Sequence, residues 1–143
     1  MTTETFAALI RAESAKATTA LTQARQALRQ RDAAALERHL RAYVLHKFLL
    51  ADTKVQGDNL LELAHESTRH ILLLTGGDLK AADISIGCAG ADTPTTKKIL
   101  LLLALREAFA LPFDPERSAD IETVRDLCEV FLACQDELSP MEN

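Results

Sequence analysis

The sequence has 143 residues, of which 48% are hydrophobic but only 4% aromatic, so its core must consist of Leu, Ala, Ile and Val, and this composition favours helices. The net charge of −5 divides unevenly, because residues 1–55 hold nine Lys and Arg against five Asp and Glu, while residues 56–143 hold seven against sixteen. The basic residues are spread out without an aromatic platform, which argues against nucleic-acid binding, and we expect the opposite charges to serve contact between the two halves or between subunits.

Targeting and cysteine patterns both point to the cytoplasm. The N-terminus has no basic stretch followed by an apolar one, and the longest apolar run, residues 99–105, is far too short to cross a bilayer. We therefore expect a cytoplasmic protein with no membrane partner. Cys88, Cys128 and Cys134 are odd in number and lack Cys-x-x-Cys spacing, so we expect small reduced hydrophobic residues and no disulfide or zinc site.

The first 56 residues are predicted to form a helical hairpin. Apolar residues recur at helical spacing from residue 3 to residue 31, which indicates one long amphipathic helix with an alanine-rich face. Arg31 and Asp32 interrupt the pattern. Asp32 is the predicted N-cap of a second helix that reaches about Asp52.

Four further elements are predicted between Gly57 and the C-terminus. Asp58 is the expected N-cap of a third helix that stops at about Thr75. A loop from residue 78 to 92 follows, and at about fifteen residues it is long enough to be functional or to pack across the bundle. Its three large apolar residues are expected to enter the core: Leu79, Ile84 and Ile86.

The last two helices have clear start signals. Thr93 is the predicted N-cap of the fourth helix, with Pro94 at the first helical position. This helix is expected to end near Ala110, before a turn at residues 111–115 and a short helical piece. The pair Thr123 and Asp126 resembles a capping box that starts the final helix, and the tail after residue 139 is expected to fray. The run 99–105 is apolar all round, which predicts that other elements cover it on every side.

In this order, residues 58–137 resemble an acyl carrier protein. The matching pieces are Gly-Ala-Asp-Thr at 90–93, Leu-Arg-Glu-Ala-Phe-Ala-Leu-Pro-Phe at 105–113 and Ile-Glu-Thr-Val-Arg-Asp at 121–126. The resemblance covers a little over half of the chain. Together with the hairpin predicted at 1–56, it implies an all-α fold with an acyl-carrier-like four-helix bundle at 57–143.

In that family, the residue after the aspartate is a serine that carries the 4′-phosphopantetheine arm at a helix N-terminus, where a phosphodiester is favoured. Here Thr93 follows Asp92, and its extra methyl group makes the alcohol secondary and stiff about χ1. Pro94 stands where such carriers usually have leucine. Lys97 and Lys98 stand where they present acidic residues to partner enzymes, and reversed charges repel such partners.

The resemblance therefore implies a non-catalytic binding or scaffold protein whose attachment residue, Thr93, is degenerate and carries no cofactor. Its partners are expected to be proteins of a bacterial biosynthetic pathway such as peptide maturation, with Lys97, Lys98 and Arg106 as candidate contact residues. One alternative is a working carrier with the arm on Thr93. Another is an ordinary helical protein, such as a structural homodimer, in which Asp-Thr-Pro is only an efficient helix start.

Other candidate sites give weaker patterns. His65 and His70 are five residues apart, about 140° around a helix, so they do not match the zinc-protease spacing of four, and we expect no metal site. His39 and His46 share a helix face and are expected at a polar edge or an interface. Cys88, close to the start of the fourth helix, is a candidate reactive thiol, but its setting favours a small residue chosen for tight packing. No nucleophile arrangement is recognisable, so we expect no enzyme.

Overall fold

The structure is a computed structural model, and it describes residues 2–76 and 93–138. Within these ranges the chain forms helices and no strand, which confirms the all-α class. The elements are α1 (Thr3–Arg29), α2 (Ala33–Lys47), α3 (Leu60–Thr75), α4 (Pro94–Phe109), a short 3-10 helix (Pro115–Asp120) and α5 (Val124–Leu138). The predicted loop at 78–92, with Leu79, Ile84, Ile86, Cys88 and Asp92, lies outside the described residues, as does the predicted fraying tail. Among the described helices, none has both the length and the apolar composition that crossing a bilayer requires.

Three of the predicted helix starts are confirmed. The Asp32 side chain accepts a hydrogen bond from the Ala35 N–H at 3.1 Å and caps α2. Thr93 caps α4, with Pro94 in its first turn. At the start of α5, Thr123 Oγ1 accepts from the Asp126 N–H at 3.0 Å. Each bond supplies an acceptor to an N–H group that lacks a partner within its own helix.

Two predicted helix boundaries are wrong, the end of α2 by about five residues and the start of α3 by one. The α2 helix ends at Lys47 rather than near residue 52, and Leu49 adopts a left-handed conformation with φ 59°. Phe48, Leu49 and Leu50 are all buried, and three successive side chains cannot lie on one face of a helix. The N-cap of α3 is Asn59 rather than Asp58, and its side chain accepts from the Glu62 N–H at 3.0 Å.

The starts of α3 and α5 are joined by a single antiparallel bridge between Asn59 and Thr123. The Leu60 N–H donates to the Glu122 carbonyl at 2.8 Å, and the Val124 N–H donates to the Asp58 carbonyl at 3.0 Å. Two N–H groups at helix starts are thereby satisfied by the backbone of the other helix. This bridge also explains the shift of the cap, because the carbonyl group of Asp58 is engaged with α5.

The α1–α2 hairpin packs through small residues. Ala17, Ala20, Ala24 and Ala27 form the buried stripe of α1, and they lie against the larger buried side chains of α2. Alanine lets two helix backbones approach closely, so the hairpin gains contact through proximity more than through apolar area. The alanine-rich face predicted for α1 is therefore its contact with α2.

One core cluster draws buried residues from all five α-helices, so the core is continuous across the boundary predicted at residues 56 and 57. A smaller cluster of Phe6, Leu49 and Ile71 joins the first turns of α1 to the end of α3. The hairpin also reaches α4 and α5 through polar contacts. Arg25 donates to the Ala108 carbonyl, and the guanidinium of Arg31 lies 2.9 Å from the Asp136 carboxylate.

Within the described part of one chain, residues 99–105 are not covered on every side as predicted. Leu101, Leu102 and Leu105 are fully buried, but Ile99 is 37% exposed and the remaining residues of the run are half-buried. The buried residues of α4 at 97, 98, 101, 102 and 105 form one face, and Arg25 of the hairpin donates hydrogen bonds to the last turn of this helix. The apolar run therefore has an inner and an outer side like an ordinary surface helix.

Candidate functional site

The residue that the sequence singles out, Thr93, lies exposed at the start of α4. Its backbone is extended, with φ −121° and ψ 150°, and Oγ1 accepts from the Thr96 N–H at 3.1 Å. The same hydroxyl donates to Thr96 Oγ1 at 2.7 Å. Its carbonyl accepts the first helical bond, from the Lys97 N–H at 2.9 Å. Thr93 thus presents a hydroxyl group at the positive end of a helix dipole.

The chemistry that this hydroxyl can perform is limited by its partners. Within the described part of the chain, its hydrogen bonds go to Thr96, which offers no basic group to remove the proton. A hydroxyl is a weak nucleophile unless a neighbouring base activates it. Among the described residues, the hydroxyl therefore has no neighbouring base to activate it.

The two lysines of α4 lie on its buried side. Lys97 is 1% exposed and Lys98 is 8% exposed, because both fall on the helix face that carries Leu101, Leu102 and Leu105. Both lysines were predicted as partner contacts, a role that requires ammonium groups at the surface, but their register in α4 places them on its buried side. Lysine is rarely found so deeply buried.

The burial of Lys98 disfavours the charged form of its side chain. Burial lowers the pKa of its ammonium group, and the carboxylates of Glu122 and Asp126 partly oppose that shift. Those two carboxylates belong to the start of α5, so Lys98 lies within electrostatic reach of the capping box. The start of α4 is thus close to the start of α5, while Phe109 at the other end of α4 lies 4.7 Å from Phe131 between ring centroids. The start of α4 therefore lies near the start of α5, and its end lies near the middle of α5.

Of the other predicted site residues, the structure describes only Arg106, and it lies away from Thr93. Arg106 is half-buried in the last turn of α4, about 20 Å along the helix from Thr93. Asp92 and Cys88 lie outside the described residues. Cys128 and Cys134 are buried thiols, and burial, with smaller contributions from Glu37 and Glu129, raises the pKa of Cys128.

The hairpin contains a buried ionisable cluster that the sequence analysis missed. Glu13 is 3% exposed, and its Oε2 lies 2.6 Å from His46 Nδ1 while its Oε1 lies 3.4 Å from Lys16 Nζ. The sequence does indicate that Glu13 is buried, because it falls on the apolar stripe of α1: Phe6, Ile10, Glu13 and Ala17 follow one another at spacings of four and three. A carboxylate on the apolar stripe of a helix requires a partner, and His46 supplies it.

The other histidines make no comparable arrangement. His65 is exposed, His39 and His70 are half-buried, and the adjacent Glu66 pairs with Arg69 at 2.6 Å. Within residues 2–76 and 93–138, no three His, Cys, Asp or Glu side chains are placed to hold a metal ion together.

The surface of α3 combines apolar side chains with shallow cavities. Leu73 is 73% exposed and Leu72 is 43% exposed, on the outer side of the helix near its end. Cavities of about 310 and 290 Å³ lie between α3 and the segment at residues 50–59. A larger one, of about 450 Å³, lies between the 3-10 helix and α5. Contiguous exposed apolar side chains of this kind mark surfaces for contact with other molecules.

Comparison with known proteins gives no relative. No family model, no curated protein and no solved structure matches this chain.

Proposed function

We propose that the chain is a non-catalytic, acyl-carrier-like binding or scaffold protein of a bacterial biosynthetic pathway such as peptide maturation. In this proposal it carries no 4′-phosphopantetheine arm, and it acts by holding partner proteins. The observation that carries the proposal is the start of α4, where Thr93 stands exposed as N-cap at the position that the attachment serine occupies in the carriers that the sequence resembles.

Three features support loss of the arm. The Thr93 hydroxyl is secondary, and it is engaged with Thr96 both as donor and as acceptor. A transferase that aligns a primary hydroxyl for attack on phosphorus loses rate steeply when the oxygen is displaced. Pro94 and the buried Lys97 replace the apolar and acidic contacts that such a transferase would read.

Two features support a binding role. The outer side of α3 exposes Leu72 and Leu73, and Ile99 of α4 is also partly exposed. A cavity of about 310 Å³ lies beside Leu73, between α3 and residues 50–55. Apolar side chains at the surface, next to shallow grooves, provide the desolvation that drives protein association.

Intact-mass measurement after co-expression with a phosphopantetheinyl transferase tests the absence of the arm. We expect the unmodified mass for the natural chain. The Thr93→Ser variant restores a primary hydroxyl at the same N-cap, and Thr93→Ala removes the oxygen. An added pantetheine mass on the natural chain that is lost in Thr93→Ala would establish the alternative, a working carrier. An arm found only on Thr93→Ser would show that the attachment geometry persists and that the threonine alone prevents loading.

A second experiment separates a scaffold from a structural homodimer. Purified products of the genes adjacent to this one are titrated into the natural chain and into Leu73→Asp, with the molar mass followed by light scattering. We expect at least one of these proteins to bind, and to bind more weakly to the variant. A stable dimer mass that the variant abolishes, with no binding to any of the purified products, would establish the homodimer instead.

A further inference from the structure

A cavity of about 440 Å³ lies where the last turns of α1 and α4 meet the end of α5. Arg25 and Arg29 of α1, Phe109 of α4 and Gln135 of α5 contribute to its wall. This volume lies in the range of sites that bind small molecules, which are mostly apolar with a few placed polar groups. The described lining includes two guanidinium groups and no carboxylate.

Arg25 is fixed in place by the end of α4. Its Nε and Nη2 donate to the Ala108 carbonyl oxygen at 3.0 and 2.5 Å, and its guanidinium carbon lies 6.0 Å from the centre of the Phe109 ring. A carbonyl group in the last turn of a helix carries partial negative charge, and Arg25 neutralises it. A guanidinium has five N–H groups, so these two bonds leave donors available for a further acceptor.

Arg29 adds a second positive charge to the same side of α1. It follows Arg25 by four residues, so both side chains leave the helix on one face, and Arg29 is exposed. No salt bridge joins Arg29 to a described carboxylate. The carboxylate of Asp136, which follows Gln135 on α5, is engaged by Arg31 at 2.9 Å. The Asp136 carboxylate therefore does not neutralise the positive charge of Arg29 at the cavity.

We propose that this cavity binds a small molecule that bears a carboxylate or phosphate group on an apolar body. The anion is held by Arg29 and by the unused donors of Arg25, because guanidinium groups match the oxygens of carboxylates and phosphates. The apolar body lies against Phe109 and the buried side chain of Leu28. The site is about 20 Å from the start of α4, so it is independent of the proposed function.

The test uses benzoate and phenyl phosphate as probes, with benzyl alcohol as the uncharged control, titrated into the full chain at low ionic strength. Amide NMR spectra report both the affinity and the place of binding. We expect one or both anions to bind with Kd values in the millimolar range and to shift the amide signals at the ends of α1 and α4. The anion that binds more tightly identifies the head group. No shifts with either anion, or equal shifts with benzyl alcohol, would overturn the proposal.

Two variants locate the binding. Arg29→Gln removes an exposed charge that forms no hydrogen bond or salt bridge with the described residues, and we expect it to weaken anion binding about fivefold. Arg11→Gln removes the same charge from an exposed position of the same helix, roughly 27 Å away along its axis, and binding should be unchanged. Circular dichroism spectra confirm that both variants fold. Unchanged binding in Arg29→Gln, or an equal loss in Arg11→Gln, would show that the anions respond only to overall charge.

Discussion

The capping box at the start of α5 provides the sharpest test of the fold. One carboxylate oxygen of Asp126, Oδ2, accepts from the N–H groups of Glu122 and Thr123 at 3.0 and 3.2 Å. The Thr123 hydroxyl accepts in return from the Asp126 N–H at 3.0 Å. Asp126→Ala removes both acceptor bonds of the carboxylate but leaves the Thr123 hydroxyl in place.

The loss of stability in Asp126→Ala depends on which N–H groups lose their hydrogen-bond acceptor. The Glu122 N–H is exposed and bonds to water instead, whereas the Thr123 N–H is partly buried and loses its acceptor. Loss of a capping side chain costs about 1 kcal/mol, and loss of a negative charge in the first turn costs about 0.5 kcal/mol more. We therefore expect the free energy of unfolding to fall by about 1.5 kcal/mol and the melting temperature to fall by roughly 5 °C.

Urea unfolding followed by circular dichroism measures this change. Glu129→Ala is the matched control, because it removes an exposed carboxylate from the next turn of α5 and should change stability by less than about 0.5 kcal/mol. Asp126→Asn keeps an acceptor oxygen without the charge, so its loss should lie between the two. If Asp126→Ala destabilises no more than Glu129→Ala, the capping box does not hold the start of α5.

Three further predictions concern buried positions. Lys98→Met removes a buried charge, so the variant should be more stable than the natural chain at neutral pH. This difference in stability should shrink as pH rises from the lowered pKa of Lys98 toward the usual lysine value of about 10.4, because in that range the folded protein has lost the proton that the unfolded chain still binds. Urea unfolding of both proteins across this pH range measures the difference. Glu13→Gln and His46→Gln should show a coupling energy of about 1 kcal/mol in a double-mutant cycle, and additive losses would contradict the contact between them. Ala24→Leu inserts three carbon atoms at a fully buried position between α1 and α2 and should cost about 2 kcal/mol in thermal unfolding, whereas Gln23→Leu at the adjacent exposed position should cost little.

Helix starts could be predicted from the sequence because their causes are local. An N-cap bond spans only three residues, so the caps at Asp32, Thr93 and Thr123 depend on side chains that are neighbours in the sequence. Periodicity gave the long α1 helix for the same reason, since its buried alanines recur every three or four residues.

The errors have tertiary causes. Asp58 and Asn59 are both good caps, and only the bridge to α5 decides between them, by engaging the Asp58 carbonyl with the Val124 N–H. The end of α2 depends on the core that receives Phe48 and Leu50, which no property of the local sequence specifies. A sequence pattern identifies residues that favour a helix start or end, but packing selects among them.

In the candidate site, too, features with local causes could be predicted from the sequence and features with tertiary causes could not. The role of Thr93 as an N-cap was predicted from its local sequence, and the structure confirms it. The orientation of Lys97 and Lys98 did not, because a run of apolar residues on all sides of α4 conceals which face is buried. Glu13 was overlooked for the opposite reason, since a single carboxylate within a regular apolar stripe looks like an interruption until His46 is found opposite it.

Ion pairing between the basic and the acidic half of the chain contributes only a small part of the stability of the fold. The ion pair between Arg31 and Asp136 joins the basic hairpin to the acidic remainder, but both side chains are about half exposed or more, and such a pair contributes at most about 1 kcal/mol. The hairpin is held instead by the apolar core that it shares with α5. Arg25 is engaged by a neutral carbonyl group, and Arg29 forms no salt bridge with a described carboxylate, so positive charge remains at the end of α1 that folding does not require. Charge that is not needed to hold a fold is available to hold a ligand, and here it lies beside a cavity large enough to contain one.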